Sequence, residues 1–148
     1  MATMVPNKLT FLLAKKVLDF SADVFKIRLM ADGFVFNVDT HAGWADVSAS
    51  ELANGNGYVT GGNTLAGVAV TQDDTDDRTE ITWNNSSWTA AGGAIGPSPG
   101  AIVIDDTPTT PVADPIMFYI DFNGNQTQAN GGVATIANIE LRIGKKTT

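Results

Sequence analysis

The only histidine of the chain, His41, stands between Asp39 and Asp46, with Ser48 and Ser50 close behind it. These are the residue types of a hydrolytic triad. That chemistry needs a serine hydroxyl meeting the imidazole, a carboxylate orienting the ring, and an oxyanion hole. No G-x-S-x-G elbow occurs in the sequence, and Ser48 fits better as a helix cap. A single histidine also excludes a multi-histidine metal site within the chain. The residues favour a loop histidine hydrogen-bonded to backbone, in a protein that is not an enzyme.

Three other groups invite a chemical reading. Asp73, Asp74, Asp76 and Asp77, with Glu80, gather the carboxylates a hard cation wants. They lack the glycine turn and spaced ligands of a calcium loop, so a solvated hairpin tip is the favoured reading. Like charges at such a tip also discourage strand-to-strand aggregation. Gly55, Gly57, Gly61 and Gly62 make no phosphate cradle, because neither a dinucleotide fingerprint nor a Gly-Lys-Ser/Thr step is present. Trp44, Trp83, Trp88 and Tyr58 have the aromatic faces of a sugar platform. The apolar neighbours of Trp44 and Trp83 predict buried packing, whereas Trp88 looks more open and could anchor a partner. No cofactor or metal is expected.

These residues need a scaffold, and its periodicities are readable. Residues 7–18 carry apolar side chains at helical spacing, with Asn7 as a plausible N-cap. Phe25, Ile27 and Leu29 alternate with Lys26, Arg28 and Met30, which predicts a strand with one buried and one largely solvated face. Asp32-Gly33 is a turn signal, and Phe34, Phe36 and Val38 alternate again. Strands are further expected at 65–71, 79–83, 101–105, 116–122, 133–136 and 139–143, with a short one around Trp88. Gly124-Asn125 reads as a chain reversal. Residues 92–100, rich in Gly and Pro, read as a loop. Short strands at this spacing, with one short N-terminal helix, argue a mainly β, antiparallel sandwich or barrel-like domain. It spans 1–148 as one unit, with an extended arm at 1–6 and a mobile tail at 145–148.

Residues 39–65 are the densest part of the sequence. Ser48 and Glu51 fit a capping box, and Val47 and Leu52 sit where a hydrophobic staple would pack. Asn54-Gly55 would stop that helix after little more than one turn, and the following glycines permit a path back into strand. The patterns D-T-H-x-x-W-x-D-V-S-x-x-E-L and G-x-G-Y-x-x-G-G-x-T-L resemble a family of small virion proteins of tailed bacteriophages. The resemblance extends to residues 81–83, 101–106 and 120–122. It implies a structural protein of the particle: a capsid decoration or cement protein on the outside of the shell, or a tail or head–tail junction component. The loops at 92–100 and 108–115 depart from the pattern, as surfaces that diverged with a partner would.

Composition narrows the remaining classes. A chain of 148 residues buries roughly 70% of its extended surface on folding, enough for a core without staples. Cysteine is absent, so no disulfide framework exists. A net charge of −7 and a pI near 4.4 lack the basic footprint of a nucleic-acid binder. No segment reaches the roughly 18–20 apolar residues of a membrane span. Lys15 and Lys16 follow the N-terminal apolar run instead of preceding it, so that run reads as mature protein and not as a signal peptide. The expected partners are the major capsid protein and copies of the chain itself, as a homo-oligomer on a virion made in the bacterial cytoplasm. The second alternative is a carbohydrate- or receptor-binding module using Trp88. The partner interface is expected at segments that look too apolar for free surface: Met4, Val5 and Pro6 of the arm, Trp88, and Ile95, Pro97 and Pro99 of the 92–100 loop.

Overall fold

A computed structural model describes residues 2–144. The chain is mainly β and antiparallel, sandwich- or barrel-like, with one short α-helix near its N-terminus. The strands are β1 (Ala2–Met4), β2 (Phe25–Leu29), β3 (Asn63–Thr64), β4 (Ala69–Asp73), β5 (Arg78–Trp83), β6 (Ser86–Thr89), β7 (Ile95–Asp105), β8 (Ile116–Gln128), β9 (Val133–Ile136) and β10 (Ile139–Gly144). They form a five-stranded sheet in the order β1-β8-β7-β2-β3, a three-stranded sheet β10-β5-β4, and the pair β6-β9. One apolar cluster draws side chains from all three, including Ile27, Val103 and Phe118, Ile81 and Leu141, and Trp88 and Ile136. A second cluster fills the other face of the large sheet with Met30, Ile102, Ile104, Ile116 and Tyr119.

This two-sided burial overturns one expectation. Strand β2 does not have a solvated face: Arg28 is 9% exposed and Met30 fully buried. The reason lies in residues 34–52, which fold over that face. The same competition removes the strand expected at 34–38. One edge of β2 pairs with β7, and the other is taken by β3 and by a bridge from Met30 to Glu51, so no edge remains for a hairpin partner. The Asp32-Gly33 turn does form, with the Phe34 N–H donating to the Ala31 carbonyl. Beyond it, Phe34 and Phe36 pack their rings against Tyr119 instead of joining a ladder.

The Gly/Pro-rich residues 92–100 are also not a free loop. From Ile95 onward they are the first half of β7, paired to Gln126 and Gln128 of β8. Proline cannot donate to a ladder and is tolerated in strands at bulges. Accordingly, Pro97 and Pro99 fall at two of the three register shifts, Ile95/Ser98 and Ser98/Gly100. Strand β8 likewise runs past Phe122 without reversing. Asn123 and Gly124 take positive φ, and β8 bulges between Asp121 and Gln126 before pairing resumes.

Helix α1 (Lys8–Ala14) buries Leu9 and Leu12 and ends sooner than its periodicity suggests. Asn7 does not cap it; its amide donates to Asp39. The extended arm expected at 1–6 is, for its described residues, part of the domain. Ala2–Met4 pairs with Tyr119–Asp121 as the edge strand β1, Met4 and Val5 pack half-buried on the core, and Pro6 is buried. The tail expected at 145–148 lies outside the described residues. Strand β4 starts later than expected, at Ala69, and the acidic run forms the tip of the β4–β5 hairpin.

The tryptophans sort differently from their sequence contexts. Trp83 is buried as expected, stacking edge-on against Phe25. Trp44 is only partly buried, and Trp88, expected to be open, is 5% exposed and packs beside Tyr58. Trp88→Ala should therefore cost about 3–5 kcal/mol, the range for deleting a buried large aromatic. Trp44→Ala, which loses partial burial and a cation–π contact, should cost about 1–2 kcal/mol. Denaturant unfolding of both variants measures the order, and a larger loss at Trp44 contradicts this packing.

Asp105, at the end of β7, is fully buried and accepts the Thr107 N–H. Burial and the neighbouring Asp23 carboxylate push its pKa upward. The folded state thus binds a proton more tightly than the unfolded chain, so this group's contribution to stability falls as pH rises above the ordinary carboxylate range. Asp105→Asn should flatten that loss, as thermal melts at pH 5 and at pH 8 will report.

Candidate functional site

Residues 39–65 form a strap across the five-stranded sheet, and Arg28 and Glu51 meet beneath it. The Asn37 N–H donates to His41 Nδ1 at 3.1 Å, and the imidazole stacks on Phe34. No serine is among its partners. Asp46 accepts the N–H groups of Ala42 and Gly43 at 2.9 and 3.0 Å, which lowers its pKa and caps a 3-10 turn at Trp44–Asp46. The capping residue is thus Asp46. Ser48–Ser50 makes a second 3-10 turn with no side-chain cap, where a capping box was expected from Ser48 and Glu51.

Glu51 is released for a different role. Its Oε1 accepts the Tyr58 hydroxyl at 2.8 Å and the Gly61 N–H at 2.7 Å, while Oε2 lies 3.5 Å from Arg28 Nη1. The Tyr58 oxygen in turn accepts the Leu29 N–H at 3.1 Å. Burial, then the Glu51 carboxylate, raise the Tyr58 pKa, so the phenol stays a donor. The Arg28 guanidinium is 4.2 Å from the Trp44 ring centre, and its Nη2 is 3.9 Å from Asp106. One arginine on β2 therefore gathers Trp44, Glu51 and, through Glu51, Tyr58. Two glycines let the strap lie this close. A β-carbon on Gly57 would collide with the Thr89 carbonyl oxygen, and one on Gly62 with that of Ile27; both have positive φ. What this constellation can do is hold chain to sheet. Its single imidazole is engaged in backbone and ring contacts.

The acidic hairpin tip is likewise committed. Arg78 forms ion pairs with Asp73, Asp76 and Glu80, the last at 2.7 Å. Among the described residues no group of three or more His, Asp or Glu side chains stands where a metal ion could be held.

The residues expected at a partner interface do not form one surface. Met4 packs against the second cluster and Val5 against the first, on opposite faces of the large sheet. Ile95, 3% exposed, and Trp88 are inside the domain, Pro99 is half-buried, and only Pro97 is open. Ile95 and Trp88 do share a feature. They form the floor of a cleft of about 430 Å³ between the far half of β8 and β9. Its walls include Phe122, Gln126, Gln128 and Thr135. The lining is aromatic, aliphatic, amide and hydroxyl, without a charged side chain. Sequence reading missed these walls because the Gly124-Asn125 step looked like a turn. The alternation of Gln126 with Gln128 was the available signal that the strand resumes.

Scans against models of protein families, against curated proteins and against solved structures found no match for this chain.

Breaking a buried ion pair from one side costs about 3–5 kcal/mol, because a charge is left without its partner. Glu51→Ala should show a loss of that size by chemical denaturation. The double variant Arg28→Met/Glu51→Leu should lose less than Glu51→Ala alone. An additive pair of losses would mean that the two side chains do not act as a unit.

Proposed function

We propose that the chain is a structural protein of a tailed-bacteriophage virion, bound to the outside of the capsid as a decoration or cement subunit. The observation that carries this reading is the use made of the motif at residues 39–65. Several of the side chains that give the resemblance its pattern hold part of the architecture, with His41 between rings, Trp44 on Arg28, Asp46 at a turn and Glu51 on Tyr58. A pattern devoted to holding a rigid β domain together suits a role in which the domain itself is the working part. The mechanism is passive. Contacts spread over neighbouring capsid subunits supply binding energy that exists only in the assembled shell, and so stabilise it by mass action. The partners are the major capsid protein and further copies of the chain. A tail or head–tail junction position would use the same physics at lower copy number.

A second reading, a carbohydrate- or receptor-binding module, is favoured by the uncharged cleft over Trp88 and Ile95. Its amide and hydroxyl walls suit a neutral polyhydroxylated ligand better than an ionic one.

Quantitative mass spectrometry of purified virions, with heads and tails separated, tests the proposal. Hundreds of copies per particle partitioning with heads is the expected result. A few copies partitioning with tails would favour the junction position, and absence from virions would overturn both. Saturable glycan binding by the isolated domain would support the second reading.

A further inference from the structure

Strand β4 ends the three-stranded sheet, and no strand pairs with its outer edge among the described residues. The register Leu141↔Ile81↔Val70 places one row of apolar side chains across all three strands. Leu141 and Ile81 are 0% and 1% exposed, but Val70 is 54% exposed, with Val68 beside it also open. The adjacent row, on the opposite face, is Arg142, Glu80 and Thr71, which is polar. The core face of this sheet therefore runs off its own edge. Natural edges are usually guarded by a lysine, a proline or a bulge. This one has none: residues 66–72 contain no charge and no proline, and β4 pairs with β5 without a register shift from Ala69↔Thr82 to Asp73↔Arg78. Carboxylates that would discourage pairing begin only at Asp73, at the strand's end.

We propose that β4 is a self-pairing edge, through which two copies of the chain join antiparallel about a two-fold axis at Val70, doubling the three-stranded sheet. A two-fold interface must be self-complementary, and this segment is. With Val70 opposite Val70 of the other copy, Ala69 meets Thr71 and Val68 meets Gln72, so no two charges oppose each other. The acidic turns at Asp73–Asp77 then lie at opposite ends of the interface, as far apart as the strand allows. The apolar row becomes continuous across the axis and covers Val70, and each copy supplies the missing edge partner. The pairing is independent of whether the protein sits on a virion.

The absence of cysteine makes the test clean. Directly opposed residues of an antiparallel pair have Cα atoms about 4.5–5.5 Å apart, within disulfide reach. Under mild oxidation, Val70→Cys should give a disulfide-linked dimer at least about tenfold faster than Val133→Cys, because pairing raises the effective thiol concentration. Val133 on β9 is a matched control at 53% exposure. Sedimentation of the unmodified protein should show a concentration-dependent dimer that Val70→Glu abolishes while leaving the far-ultraviolet circular dichroism unchanged. If Val70→Glu fails to fold, the cysteine rates and the unmodified protein decide. Equal oxidation rates for the two cysteine variants, or an unmodified chain that stays monomeric at all concentrations, overturn the proposal.

Discussion

The buried contact of Arg28 with Glu51 is the constraint on which the rest of the structure depends. An arginine on an interior strand of a sheet covered on both faces cannot be left alone, because desolvating a guanidinium costs several kcal/mol unless its charge is met. Three groups meet it: the Glu51 carboxylate, the Trp44 ring and, more distantly, Asp106. Two of the three belong to the strap. The strap must therefore cross β2 at this point, and its glycines and 3-10 turns follow from how closely it has to run. Glu51 cannot serve as a helix-capping residue, since both its oxygens are engaged with Arg28, Tyr58 and Gly61.

The large sheet closes its own edges in the same way, with segments from elsewhere in the chain. The N-terminal residues close one edge as β1, and strap residues close the other as β3 and the Met30–Glu51 bridge. Edge strands of three and two residues leave little ladder to extend, whereas β4 is five residues long. The short edges belong to the sheet that carries both core clusters, whereas β4 ends the three-stranded sheet, where the apolar row outruns the strands that should cover it.

The cleft over Ile95 and Trp88 is a by-product of bulged strands. Pro97 and Pro99 force shifts in β7, and Asn123 and Gly124 force one in β8, so the far halves of the two strands diverge in direction from the sheet that begins them. The gap they leave against β9 is lined by aromatic and aliphatic side chains together with the amides of Gln126 and Gln128 and the hydroxyls of Ser98, Thr127 and Thr135. The cleft meets the strap at one place, where Trp88 packs beside Tyr58.

The sequence by itself determined the class of the fold and most of its strands. The strands expected at 25–29, 79–83, 116–122, 133–136 and 139–143 all form; one-sided burial holds at Ile81 and Trp83 and at Ile139 and Leu141, whereas 25–29 and 116–120 are covered on both faces. It also determined that His41 would bond to backbone and that the acidic run would be a hairpin tip. Tertiary structure decided what depended on a distant partner. Residues 34–38 alternate like a strand but found both edges of β2 occupied, while residues 95–100 look like a loop yet found an open edge on β8. Ser48 and Glu51 have capping-box spacing, but Arg28, remote in sequence, outcompeted the helix terminus for the carboxylate. The burial of Trp88 over Trp44 followed from which tryptophan stood between two sheets and which stood over an arginine. Local pattern records what a residue prefers; which edge is free and which charge is unmet exist only once the chain has folded.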